Sequence, residues 1–224
     1  MDNKQKFDDL AVEYDFISEI FNNNDYFLAN LSIGKKRALD IGCGSGVLMN
    51  ALSKHFDEVI GIDISENMLE IGRSKRNSSN IKFINMNATN ITLTEKFDFI
   101  VSRTTLHHIK DKDVVIERFK SMLVDNGKIV MVDNVSEKPT PKRSLNIAGA
   151  YIDFLPNILK YGYSKSIRIL RHSTSKEWLD HLASDVYLSE RETRNLYKKT
   201  LPGSSVRRFG CFMGVVWEKS TQQI

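Results

Sequence analysis

The chain has 224 residues, 41% hydrophobic and 27% charged, with a formal net charge of +4, which suffices for one sizeable core and lacks the long basic tracts of a nucleic-acid-binding tail. Two cysteines, Cys43 and Cys211, cannot build a disulfide framework, and no CxxC or Cys/His cluster points to a metal. The polar start MDNKQKFDDL carries no apolar stretch behind it, and runs such as Lys128-Ile129-Val130-Met131-Val132 are too short to cross a bilayer, so no membrane insertion and a cytoplasmic location are expected.

Short β-branched runs alternate with longer helical patterns. Arg37 to Ile41 predicts a strand, and Val47 to His55 a helix with Val47, Leu48, Ala51 and Leu52 on one side. Glu58 to Asp63 predicts a second strand, after which Ser65 caps a helix carrying Met68, Leu69 and Ile71. Ile81 to Ile84, Phe97 to Val101 and Lys128 to Val132 supply three more strands, the last entered from an Asp125-Asn126-Gly127 turn. Continuous apolar strands alternating with amphipathic helices imply a parallel sheet covered on both faces. From Glu137 to Arg171 the pattern breaks into a partly helical insertion bearing Tyr151, Phe154, Tyr161 and Tyr163. Helices return near Thr174-Ser175-Lys176-Glu177 and Ser189-Glu190-Arg191-Glu192, both of which fit a capping box. Ser205 to Phe209 and Cys211 to Trp217, separated by Gly210, predict an antiparallel pair.

ALDIGCGSG, residues 38–46, falls where the first strand gives way to the first helix of this pattern, at the carboxyl edge where open α/β sheets bind ligands. Its glycines permit positive φ and close approach to bare backbone, although a purely structural turn uses glycine for the same reason. Asp63 ends the second strand at the spacing where an acidic side chain accepts hydrogen bonds from ribose hydroxyls; a helix cap accounts for that residue alone but not for its pairing with the loop. The third glycine comes one residue earlier than in a dinucleotide fingerprint, and Asp40 just ahead of the loop would repel a pyrophosphate. A cationic ligand such as S-adenosylmethionine suits that carboxylate better than NAD does.

On these motifs the chain resembles the class I S-adenosylmethionine-dependent methyltransferases over nearly its whole length, and within them the ubiquinone/menaquinone-type small-molecule enzymes. FINMNA (83–88), FDFIVSR (97–103) with LHHI (106–109), and LVDNGK (123–128) follow in the family's order; Asn87 stands where the family often has aspartate. The resemblance implies a doubly wound, mostly parallel seven-stranded sheet with an antiparallel C-terminal strand and a helical lid insertion. It implies one domain over 1–224, with an N-terminal helical lid over 1–33 and a substrate lid over 137–171. It further implies a cofactor wall of Asp40, Gly42, Cys43, Gly44, Gly46, Asp63, Ile64, Met68, Asn87, Ala88, Ser102 and Arg103. FDDLAVEYD (7–15) resembles the family's leader, in which a tyrosine folds over the cofactor, so Tyr14 is the expected lid residue; packing within an amphipathic helix is its alternative use.

The implied reaction moves a methyl group from S-adenosylmethionine, leaving S-adenosylhomocysteine, to an oxygen or nitrogen of a small molecule. His107 and His108 are candidate general bases beside the fourth strand, with Thr104, Thr105 and Arg103 in the same loop to position the acceptor; Arg103 pairing with Asp98 is the structural alternative. Tyr151 and Phe154 are expected to line an acceptor pocket or the lid core, and Arg168 and Arg171 to hold an acidic group or face solvent. His172 to Ser175 reads as a helix cap. The alternatives are a nucleic-acid or protein methyltransferase, a non-catalytic partner subunit that binds S-adenosylmethionine, and a NAD-dependent oxidoreductase. No Asn/Asp-Pro-Pro-aromatic tetrapeptide, Pro-Cys dipeptide or appended basic domain supports a nucleic-acid substrate. A homodimer stays open.

Overall fold

In the computed structural model, residues 3–137 and 142–220 are described; Pro139 and Pro141 of the insertion lie outside them. Seven strands form one sheet: β1 (Arg37–Ile41), β2 (Glu58–Asp63), β3 (Ile81–Asn85), β4 (Phe97–Arg103), β5 (Leu123–Asn134), β6 (Ser205–Phe209) and β7 (Phe212–Glu218). Their order is β3-β2-β1-β4-β5-β7-β6. The first five are parallel, β7 runs antiparallel to β5, and β6 closes the edge as a hairpin with β7. The expected doubly wound sheet is what the chain forms.

Side chains on successive strand residues leave opposite faces, so the apolar strands feed two cores. Leu39 and Ile41 of β1 pack on one side with Ile60, Ile62, Ile100 and Phe119. Ala38 packs on the other with Val59, Phe99, Leu48 and Phe27. Each of the larger side chains contributes about 1.5–3 kcal/mol by leaving water, and this fixes the register that brings the ends of β1, β2 and β4 together.

Helices α1 (Asn3–Ile20), α2 (Asp25–Leu28), α3 (Val47–Leu52), α4 (Glu66–Lys75) and α5 (Lys112–Met122) surround the first half. The helix after the glycine loop is shorter than its apolar pattern suggests, because residues 53–55 turn away toward β2. Ser65 does cap α4, its hydroxyl accepting the Met68 amide at 3.2 Å. Strand β5 begins earlier than expected, at Leu123, and takes in the Asp125-Asn126-Gly127 segment, where Asn126 sits at φ 58° and the pairing with β4 shifts register.

The insertion forms α6 (Arg143–Ile152), α7 (Phe154–Tyr161) and α8 (Tyr163–Thr174), followed by α9 (Lys176–Ser184) and α10 (Glu190–Thr200). Thr174 does not open a capping box. It is the last residue of α8 and turns its hydroxyl back to the Leu170 carbonyl, while Ser175 caps α9 by accepting the Trp178 amide. His172 is therefore helical rather than part of a cap. The second expected box is present in full, with Ser189 and Glu192 serving each other's backbone amides.

Helix α1 lies across α4 and the glycine loop. Asp15, buried, meets Arg76 at 2.9 Å, and Arg76 also donates to the Ser45 carbonyl at 3.0 Å. Removing either member of a buried pair of this kind costs about 3–5 kcal/mol, so the N-terminal helix is held over the sheet edge. Asp8 adds a second tie by accepting from the Ser65 hydroxyl at 2.6 Å. From the other side, the Arg168 guanidinium on α8 pairs with Glu13.

Candidate active site

A cavity of about 1100 Å³ opens at the carboxyl ends of β1, β2 and β4. The glycine loop forms its floor. Gly42, Gly44 and Gly46 all have positive φ, and a Cβ on Gly42 would stand 2.2 Å from the Thr105 hydroxyl, so glycine is required there by both conformation and space. Four of the loop's amides are engaged within the protein: Gly42 and Cys43 donate to the Ile62 carbonyl, Gly46 to the Cys43 carbonyl, and Gly44 to Asp63. A pyrophosphate cradle needs such amides free, and these four are not.

Asp25, Asp40 and Asp63 line the cavity, the last two from β1 and β2 beside the glycine loop. Asp63 accepts the Gly44 amide at 2.8 Å and the Ser65 amide at 2.9 Å, yet burial raises its pKa despite those donors. Asp40, 2% exposed, is pushed up to about 7 by burial, with Arg103 opposing and Asp63 adding to the rise. Arg103 does not reach Asp98, which lies at the opposite end of β4 and accepts the Arg37 amide. Its guanidinium instead donates to Asn24 at 3.0 Å and feels Asp40 and Tyr14.

Around these groups the wall includes Cys43, Ile64, Met68, Asn87 and Ala88. Burial pushes the Cys43 thiol well above its ordinary range, so it stays a protonated, apolar surface. The Asn87 side-chain oxygen Oδ1 accepts from the Thr89 amide and hydroxyl, each at 2.9 Å, which closes the turn below the wall. Tyr14 reaches down from α1, shares a side-chain hydrogen bond with Thr104, and has its pKa raised by burial. Thr104 itself sits at φ 51°. Gly46 and Ser102 stand behind the wall: a Cβ on Gly46 would strike the Phe83 ring, and the Ser102 hydroxyl donates to the Ile41 carbonyl, joining β4 to β1.

The two histidines part company. His108 lines the cavity beside Thr104 and Thr105, whereas His107 is turned behind it, with Nδ1 2.6 Å from Asp133 Oδ1. Asp185, which follows α9, lies 3.5 Å from His108 Nδ1. Of the insertion residues, none of Tyr151, Phe154, Arg168 and Arg171 reaches the cavity wall. Tyr151 and Arg171 are exposed, Phe154 packs toward Tyr163, and Arg168 is engaged by Glu13 and the Phe16 ring. The aromatic wall comes from elsewhere: Phe21, Tyr26, Trp178, Phe209 and Phe212, with Arg207 among them. No sequence motif marks Asp133, Asp185 or these aromatics; the one local signal is the Trp178, His181, Asp185 spacing, which places three large polar or aromatic groups on one side of α9 and its end.

Residues 34–182 match the family model described as a methyltransferase domain. The chain belongs to this family, within the S-adenosylmethionine-dependent methyltransferases. It is 26% identical over 228 residues to the demethylmenaquinone methyltransferase of Staphylococcus saprophyticus, covering 93% of this chain and 94% of that one. It is 24% identical over 159 residues to the ubiquinone biosynthesis O-methyltransferase of Coxiella burnetii, a match spanning 69% of this chain and 66%, just under two thirds, of that protein. The fold is shared with DhpI, solved with S-adenosylhomocysteine, at a TM-score of 0.68 and 16% identity over 97% of this chain and 95% of that chain. Among the described residues no helix is long and apolar enough to cross a membrane.

Proposed function

We propose that this protein transfers a methyl group from S-adenosylmethionine to an oxygen or nitrogen atom of a small molecule. The observation that carries this reading is the Asp63 carboxylate, which borders the cavity and holds the Gly44 amide of a glycine loop whose Gly42, Cys43 and Gly46 amides are bonded to backbone carbonyls. That arrangement suits a nucleoside with a cationic tail and not a pyrophosphate. When bound, the cofactor supplies a methyl group on an electron-poor sulfur. The residues of this chain bind it, align the acceptor and keep water out.

Asp63 would accept from the ribose, the Asn87–Ala88 segment and Met68 would flank the adenine, and Asp40 with Cys43, Gly42 and Gly44 would surround the amino-acid end. Tyr14, bonded to Thr104, covers the reacting centre from α1. The acceptor enters beside Thr104 and His108, against the aromatic wall. The corner formed by His108, Asp185 and, behind them, His107 is where a hydroxyl or protonated amine would lose its proton. The quinone-pathway names of the relatives support a small-molecule acceptor. A cytoplasmic protein of one domain is part of the same proposal.

Calorimetry with S-adenosylhomocysteine and NADH tests the cofactor, and a screen of hydroxyl and amine acceptors with labelled methyl donor tests transfer. Binding of NADH alone would overturn the reading. His108→Ala should abolish turnover while leaving S-adenosylhomocysteine affinity within about twofold, since general acid–base groups contribute about 10²–10⁴-fold to rate. Full activity in that variant would remove the corner from the mechanism, and cofactor binding with no acceptor methylated would favour a partner subunit.

A further inference from the structure

His107, His108 and Asp185 converge from segments far apart in the chain. The two imidazoles stand on the single 3-10 turn Leu106–His108 after β4, and Asp185 follows α9. One ligand-type atom from each lies within 4.8 Å of the other two. His107 Nε2 is 3.9 Å, and His108 Nδ1 3.5 Å, from an Asp185 oxygen.

Asp133 decides what His107 presents to that point. One Asp133 oxygen accepts the His107 amide at 2.8 Å and the other lies 2.6 Å from Nδ1. A carboxylate can only accept, so Nδ1 carries the proton, and in the neutral ring Nε2 turns its lone pair toward Asp185. A carboxylate behind a histidine in this way is the arrangement that orients metal-bound imidazoles.

Asp185 is short of donors, although His181 Nε2 also lies 3.9 Å from its Oδ2. Its side chain is 2% exposed. The Tyr187 hydroxyl donates to Oδ2 at 2.7 Å, while Oδ1, also buried, has no hydrogen-bond partner. A buried carboxylate oxygen without a donor is costly unless a cation compensates it. Oδ1 is the atom nearest His108.

We infer that this corner binds one divalent transition-metal ion through His107 Nε2, His108 Nδ1 and the Asp185 carboxylate. Tetrahedral sites with bonds of about 2.0–2.1 Å separate their ligand atoms by roughly 3.3 Å, so the two histidine–carboxylate distances of 3.9 and 3.5 Å need to close by only a few tenths of an ångström, while side-chain rotation brings in the rest of a set that spans up to 4.8 Å. Two imidazoles with one carboxylate favour zinc, iron, cobalt or nickel over magnesium or calcium. Three protein ligands leave a position open, and because His108 lines the cavity, an acceptor hydroxyl or a water can take that position. A hydroxyl bound there is more acidic. Only this consequence rests on the methyl-transfer reading; the site itself does not.

The test uses the full chain without a histidine tag, dialysed against zinc and analysed for metal content, with the metal-free protein titrated by Co²⁺ and followed through its visible absorption. S-adenosylhomocysteine binding is measured on the same samples. The expected result is about one tightly held Zn²⁺ or Co²⁺ per chain, undisturbed by excess Mg²⁺. In His107→Gln and Asp185→Asn, metal affinity should fall by more than about tenfold with S-adenosylhomocysteine affinity kept, which also shows that the variants fold. Wild-type protein that binds S-adenosylhomocysteine but no metal would overturn the metal site and leave the methyltransferase reading standing; the cluster would then share a proton instead. Variants that hold metal as tightly as the wild type would overturn this ligand set. Metal bound without any S-adenosylhomocysteine affinity would do the reverse, supporting the site and removing the proposed function.

Discussion

Asp63 Oδ2 accepts the Gly44 amide at 2.8 Å, so the acid at the end of β2 and the glycine loop after β1 form one unit. Its other oxygen accepts the Ser65 amide at 2.9 Å and so also fixes the start of α4. Replacing Asp63 by alanine removes both acceptors together with any ribose contact. Hydrogen bonds to a charged group contribute about 1.5–3 kcal/mol, so calorimetry on Asp63→Ala should show S-adenosylhomocysteine binding weakened roughly tenfold to a hundredfold. The loop contact makes the variant less stable as well, which a urea melt would register. Unchanged cofactor affinity would refute the ribose assignment.

That unit was legible in the sequence because its parts announce themselves locally. Strands buried on both faces are continuous apolar runs, and the loop needs glycine where Gly42 faces Thr105. The Ser65 and Ser189 caps follow from two or three adjacent residues in the same way. What stayed illegible depends on distant contacts. Nothing near Asp133 signals that its carboxylate will meet His107, and Asp185 reaches His108 only through the packing that brings the residue after α9 to the turn after β4. In the insertion, aromatic content does not say which side of a helix is covered. Ile152, Leu155 and Leu159 remain exposed, so periodicity there could not separate pocket from outer face. Composition allows Tyr151 and Phe154 either an acceptor pocket or the lid core, and neither lines the cavity.

His172 provides a measurable consequence of lid burial. The ring is 5% exposed, both nitrogens lack hydrogen-bond partners, and its centroid is 4.6 Å from that of Trp178. Burial lowers its pKa from 6.5 to about 4, against the upward pull of Glu13. A histidine depressed in the folded state favours folding while neutral. Its contribution is therefore present above about pH 6.5 and lost as pH falls toward 4, by up to about 3 kcal/mol at 1.36 kcal/mol per unit. Urea unfolding between pH 7.5 and 4.5 should show wild type losing stability faster than His172→Leu, whose buried side chain takes up no proton. Parallel pH dependence in the two proteins would mean that the lid opens to solvate the imidazole.

Asp40 works in the opposite sense. Its folded pKa of about 7 lies above the ordinary 3.8, chiefly from burial and in spite of Arg103. A raised carboxyl favours folding while protonated, so its contribution is complete below about pH 4 and is lost as pH rises through 7. Without cofactor, Asp40→Asn should therefore be more stable than wild type at pH 8, by on the order of 2–4 kcal/mol, with the gap closing toward pH 4. A bound sulfonium changes the balance, because its positive charge favours the ionised form that burial opposes. S-adenosylmethionine carries that charge and S-adenosylhomocysteine does not. Calorimetry should then find the ratio of their affinities rising in favour of S-adenosylmethionine between pH 6 and 8 in the wild type and flat in Asp40→Asn. A flat ratio in both would place the sulfur away from Asp40; a rise in both would assign the preference to another carboxylate of the cavity wall, Asp63 or Asp25.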